Sequence, residues 1–242
     1  MTNLIKADLL RISKKWILYV FMLLPLAAVL YGLRDFKQED SFEYLNSLTR
    51  YYSLYGALFF SLSAMIGVFG DELHTNAMQT AIGRGLSRTK LIIAKFLDCV
   101  ILLLLQFTLL TAFIFLTNAA EKVIASGEDN LTIVITAVLC GFIPACSYVA
   151  ISGLLIFLMW NAGVGFISVL FLSTLTPVLL ELLKTLFKIN LTEVWIRNLM
   201  SDSLNSFSMG EFNIAFLPAI LIYVVLPVGL TALIFRRKEL EL

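Results

Sequence analysis

Few residues in this chain have the types and spacing to do chemistry, and many of them sit in one stretch. Asp71–Lys95 reads DELHTNAMQTAIGRGLSRTKLIIAK and holds the single histidine, His74, with four basic residues. A metalloprotease needs paired ligands such as His-Glu-x-x-His, and a membrane serine protease needs a serine and a histidine at depth; one histidine outside the apolar runs serves neither. Cys99, Cys140 and Cys146 all fall inside apolar runs. They have no metal spacing and no disulfide framework, and read as small core residues. There is no Gly-rich loop to cradle a phosphate and no redox-cofactor pattern. The expectation is a chain that is not an enzyme and that binds no cofactor or metal directly. What remains for Asp71–Lys95 is docking.

Ionisable residues at membrane depth are functional candidates by default. Asp98 follows Lys95 by three residues near one end of an apolar run, so the two can pair along one helix face. Glu181 lies near the end of another run, within reach of Lys184. Both stand close to interfaces, where snorkelling and local pairing explain them. No titratable group stands near a midplane, which argues against an ion-coupled transporter or a selective channel.

These residues are positioned by long apolar elements. The chain is 60% hydrophobic and 14% charged over 242 residues, where a soluble domain is closer to half apolar and a quarter charged. The pattern predicts an all-α integral membrane protein with six transmembrane helices, over Trp16–Leu33, Leu54–Gly70, Phe96–Leu116, Leu131–Met159, Gly163–Leu183 and Ile214–Phe235. The fourth is too long to stand straight and perpendicular, so it must tilt, kink or project. All five prolines lie within these spans, as membrane helices tolerate. Eleven of the 18 Lys and Arg residues fall on the side that carries both termini and the Asp71–Lys95 island, which predicts that side to be cytoplasmic.

Three segments lie outside the spans. In residues 1–15, Leu4, Ile5, Leu9 and Ile12 recur at helical spacing against Lys6, Asp8, Arg11, Lys14 and Lys15, the pattern of an interfacial helix with its apolar face down. In residues 184–213, Asn190 and Glu193 resemble a capping box, and Leu191, Val194, Trp195, Asn198 and Leu199 would share one face of short extracellular helices dipped into the outer leaflet. The island itself reads as a helix over Glu72–Ile82, a break at Gly83-Arg84-Gly85, and a return helix capped by Ser87. Leu73, Ala77, Met78 and Ala81 are apolar positions suited to a partner's groove, with Arg84 and Arg88 available to acids or lipid headgroups.

This layout resembles the transmembrane subunit of a type-2 ABC exporter, an ABC-2 family permease. The family stretch runs from an acidic residue through a Gly-Thr pair and an apolar helix to Ser-Arg and then Lys. Glu72, Thr75, Ser87, Arg88 and Lys95 stand in those positions, and His74 replaces the usual glycine. The ending Ile234-Phe-Arg-Arg-Lys-Glu-Leu240 is also similar to the family's last span and tail.

The resemblance implies one transmembrane domain over 1–242, with residues 71–90 as a cytoplasmic coupling region. It implies ATPase coupling through Glu72, Leu73, His74, Thr75, Ala77, Met78, Ala81, Ile82, Arg84 and Arg88. ATP and Mg would be bound by a separate cytoplasmic ABC ATPase subunit, and a second permease copy or sibling would complete the pore. The expected setting is a bacterial plasma membrane, among its lipids and without nucleic acid. The wording around Ser87–Phe96 resembles permeases that export, or give immunity to, antimicrobial and amphipathic peptides. Drug or lipid export is the near alternative, and a non-transporting sensor or assembly subunit is the alternative of a different class.

Overall fold

The computed structural model describes residues 2–35, 55–70, 77–83, 85–116, 130–208 and 216–237, and every regular element among them is helical. In chain order these are α1 (Thr2–Ser13), α2 (Trp16–Asp35), α3 (Ala57–Phe69), α4 (Ala77–Gly83), α5 (Arg88–Leu116), α6 (Asn130–Met159), α7 (Ala162–Leu170), α8 (Thr176–Phe187), α9 (Ile196–Ser208), α10 (Phe216–Ile220) and α11 (Leu226–Arg237). A π-turn, Phe171–Leu175, joins α7 to α8, and another, Leu221–Val225, joins α10 to α11.

Local chemistry sets the breaks. After α4, the Gly85 N–H donates to Ile82 O at 2.9 Å and the Leu86 N–H to Ala81 O at 3.2 Å. This paired closure of a helix end needs a residue at positive φ, and Gly85 supplies it at 92°. The Ser87 carbonyl then accepts the Leu91 N–H and opens α5. Between α6 and α7 the turn is two residues long. Trp160 takes φ 53°, and Asn161 caps α7 through its Oδ1, which accepts the Gly163 N–H at 2.8 Å.

The two π-turns share a cause. Each begins six residues before a proline, Pro177 or Pro227. A proline cannot donate to the carbonyl four residues back, and its ring collides with that carbonyl, so a widened turn ahead of it relieves the clash. Hydroxyls then satisfy carbonyls that lipid could not: Ser173 Oγ donates to Val169 O, Thr174 Oγ1 to Leu170 O and Thr176 Oγ1 to Phe171 O.

Four of the described helices are long and apolar enough to cross a membrane: Arg88–Phe113, Val138–Met159, Ala162–Phe187 and Leu217–Arg236. Trp16–Ala28 and Ala57–Phe69 are shorter apolar helices. The six spans read from the sequence therefore stand as four here. The long fourth run is one continuous helix, α6, about 45 Å from end to end at the α-helical rise, with Pro144 inside it. It is the centre of the bundle, packed by α3, α5, α7, α9 and α11. Of its most apolar stretch 61% is buried, against 17% for Ala162–Phe187 and 22% for Leu217–Arg236. Those two helices turn leucines, isoleucines and valines outward along their whole length, as a lipid-facing or partner-facing surface must.

An apolar cavity of about 20 Å³ lies between α3, α5, α6 and α11, bounded by Phe69, Phe96, Gly153, Phe157 and Thr231. A Cβ at Gly153 would meet no atom within 4 Å. Gly153→Ala fills empty space and removes a helix-interior glycine, so it is expected to raise stability by about 0.5–1 kcal/mol. A thermal-unfolding midpoint above the parent's in the same detergent checks this.

Candidate functional site at the basic end of the bundle

The ends of α3, α6 and α11 and the starts of α2, α5 and α7 lie at one end of the bundle, where α1 packs against α2, α3 and α5. Asp8 and Ile12 are four residues apart, share a face of α1, and are both buried. Ile12 packs so close to α3 that a Cβ on Gly67 would sit 3.1 Å from its Cγ2. The Gly67 carbonyl accepts from Lys15 Nζ at 2.9 Å. Glycine thus lets α1 press on the α3 backbone and leaves that carbonyl open to the lysine.

Asp8 Oδ2 accepts from Lys95 Nζ at 2.6 Å, and Arg11 Nη2 stands 3.6 Å from Asp8 Oδ1. Lys95 is 3% exposed and Asp98, one turn further along α5, is fully buried. This corrects two sequence readings. Asp8 is not on a solvated face; it points into the chain because α1 rests on α5 and α3 as well as on any membrane surface. Lys95 does not snorkel; its ammonium reaches across to another element rather than only along its own helix to Asp98. Away from water, such an ion pair is tolerated only with close geometry and a good set of partners.

The described part of the island is rooted in the same end. Met78 is 2% exposed and belongs to the core, and Ala81 and Ile82 pack against it, while Thr80 and Gly83 face outward. The Met78 side chain is therefore taken up by the chain's own bundle instead of being offered to a partner. Its stripe with Ala81 and Ile82 meets that apolar surface first. Ala77 belongs to α4; Glu72, Leu73, His74, Thr75 and Arg84 lie outside the described residues.

Arg88 is the tie between the island and the last helix. Its Nη1 donates to the Phe235 carbonyl at 3.3 Å, and its guanidinium lies 5.9 Å from the centre of the Phe235 ring. A cation on the last carbonyls of a helix is favoured by the helix dipole. Phe235 stacks with Trp160 at 6.0 Å and meets Phe157 at 5.0 Å, and Phe157 meets Phe69 edge-on at 5.9 Å. One arginine at the start of α5 thus joins a ring cluster drawn from the ends of α3, α6 and α11. That cluster also holds Trp160 in its positive-φ turn.

Glu181 is not part of this assembly. It is exposed on α8, toward the other end of the bundle, and closes no ion pair with Lys184. Towards that other end, Thr192–Val194 forms a single 3-10 turn before α9. Asn190 Nδ2 donates to Glu193 Oε1 at 2.5 Å, so the anticipated capping box is a side-chain pair ahead of the helix. The tighter turn breaks the α-helical register. Leu191 and Val194 point outward, and Trp195, Ile196 and Met200 form the buried face. Trp195 stacks on Tyr148 of α6 at 6.3 Å and meets Tyr223 edge-on at 5.7 Å.

Among the described residues no group of three or more His, Cys, Asp or Glu could hold a metal ion. What the basic end can do is mechanical: it links the island, α1 and the ends of three spans by charge and ring contacts. No protein family, curated protein or solved structure matches this chain. Two residues of the basic end were missed in the sequence. Asp8 could have been flagged by its four-residue spacing from Ile12, and Gly67 by being a glycine within an apolar run.

Proposed function

We propose that the chain is the membrane-spanning permease subunit of an ATP-driven ABC exporter that moves amphipathic molecules, antimicrobial or other amphipathic peptides first among them. The observation that best supports this is the link through Arg88. A force applied to the island between α3 and α5 reaches Phe235 on the last helix and, through the ring cluster, Phe157 on the central one. A rigid helix end tied in this way can transmit a push as a rigid-body movement of spans. In this reading the described spans, with α2 and α3 completed to full length, make six. The basic end faces the cytoplasm, α1 lies in that interface, and the outward apolar faces of α7, α8 and α11 meet lipid or a second permease copy. ATP is bound and hydrolysed by the partner.

The test is co-purification in mild detergent followed by an ATPase assay. An ABC ATPase is expected to come with the tagged chain, and Leu73→Asp is expected to remove most of it while the permease still elutes as a folded species. Met78→Asp is a poor substitute, because it places a charge in the core. The parent chain purifying alone at native expression, without nucleotide hydrolysis, would transfer the reading to a membrane sensor or assembly subunit. ATPase stimulation by drugs or lipids, with none by peptides, would shift the cargo to that class.

A further inference from the structure

We infer that the π-turn at Phe171–Leu175 is a hinge, about which α8 swings as an arm while α7 stays fixed on the bundle. Burial along this span stops at the turn. Gly165, Ser168 and Val169 are buried on α7, and Ser173, inside the turn, is the last buried residue before Trp195. α8 has no buried residue over its 12 positions, and Leu180 is its one apolar side chain packed against the core, only partly covered. α7 packs on α6 and α3, whereas the main contacts of α8 are the turns on either side of it, Phe171–Leu175 and Thr192–Val194. The far end of α8 is also a joint. Lys188 leaves the helix at φ 57°, and the chain runs without regular structure to the 3-10 turn before α9, which packs on α6 and buries Ile196 and Met200.

The backbone ladder is interrupted at the level where burial stops. The Thr176 N–H donates five residues back, to Phe171 O, and Pro177 has no N–H to give. In lipid a bend bares carbonyls that no water can reach. Three hydroxyls already cover them: Ser173 Oγ donates to Val169 O at 2.8 Å, Thr174 Oγ1 to Leu170 O at 2.6 Å and Thr176 Oγ1 to Phe171 O at 3.1 Å. Side-chain donors of this kind bend a helix and keep its carbonyls paired through the bend. The second π-turn is the internal comparison. Leu221–Val225 stands at the same spacing from its proline but contains no serine or threonine. It is also clamped: it packs on α6, α10 ahead of it packs on α9, and the Tyr223 hydroxyl donates to Val194 O at 3.2 Å. The same backbone break is thus held on both sides in one span and on one side only in the other. At the α-helical rise α8 is about 18 Å long, so a bend of about 20° carries its far end about 6 Å relative to α6.

The hinge does not rest on the exporter reading, and its test needs no ATPase partner, so either can fail without the other. Distances are read by double electron–electron resonance on the full chain in phosphatidylcholine nanodiscs, spin-diluted with unlabelled chain, with the three buried cysteines replaced by alanine. One label stands at Leu105→Cys on α5 and the other at Ile167→Cys on α7 or at Leu186→Cys on α8, all exposed positions. The Ile167 pair is expected to give one narrow distance, and the Leu186 pair two distances or a distribution about twice as wide. Two straightened variants follow: Thr176→Val with Pro177→Leu, and a deletion of Thr174, which takes out the extra residue of the π-turn. Either should narrow the Leu186 pair to the width of the Ile167 pair while the Ile167 pair stays where it was, which also shows that the fold is kept. Pro227→Leu should leave both pairs unchanged. Equal widths for the two pairs in the parent chain overturn the inference. So does a Leu186 pair that stays broad in a straightened variant whose Ile167 pair is intact, or one that Pro227→Leu narrows as much.

Discussion

Lys95→Met is expected to destabilise the chain by roughly 3–5 kcal/mol, the usual cost of leaving a buried charge without its partner. The substitution keeps side-chain length and apolar volume, so little of the effect would come from packing. It leaves Asp8, on the buried face of α1, with only the partly exposed Arg11 at 3.6 Å, and it removes a cation one helical turn before the fully buried Asp98. Asp8→Asn is expected to cost less, about 1–3 kcal/mol, because Lys95 keeps Asp98 one turn away on its own helix and an amide can still accept a hydrogen bond. The order of the two is the sharper test. Unfolding midpoints in one detergent should fall further for Lys95→Met than for Asp8→Asn. In Asp8→Asn/Lys95→Met the loss should be smaller than the sum of the singles. Equal and additive losses would mean that the two side chains act independently despite their 2.6 Å contact.

How much of this could be read beforehand divides along one physical line. Features that depend on a residue and its near neighbours in sequence were legible. The apolar runs gave helices; Gly85 and Ser87 broke and restarted the chain between α4 and α5; Trp160-Asn161-Ala162 made a tight turn. Features that depend on which element lies opposite were not. The hydrophobic stripe of α1 fixes that one face is apolar but not that Asp8 belongs with it, because that follows from Lys95, 87 residues away. In the same way Leu191 and Val194 fit one face with Trp195 only if the helix begins early enough. A 3-10 turn of three residues was sufficient to rotate them outward. The helix α4 and the break after it were legible, but the burial of Met78 was not, because it depends on how α4 sits against the bundle.

Close helix approach is the other property that sequence pattern hides, and Gly165 is where it should be felt most. A Cβ there would lie 2.6 Å from Ile156 Cγ1 and 3.2 Å from Met65 Cε. Met65 can swing its methyl aside, but Ile156 is 1% exposed and branched at Cβ, so its χ1 is stiff and it moves only at the expense of its packed neighbours. Gly165→Ala is therefore expected to cost about 1–3 kcal/mol by overpacking, against a gain in helix propensity of up to about 1 kcal/mol, and Gly165→Val more than either. The contact joins α7 to the central helix immediately after their two-residue turn, so the strain has no loop to dissipate into. A cycle with Ile156→Ala separates overpacking from a backbone effect. Alone, Ile156→Ala should lose about 2–5 kcal/mol by opening a cavity. Combined with Gly165→Ala, the new methyl enters that space, and the double variant should be more stable than the sum of the singles by about 1 kcal/mol or more. If the losses simply add, α6 and α7 do not meet at Gly165 as closely as the structure has them.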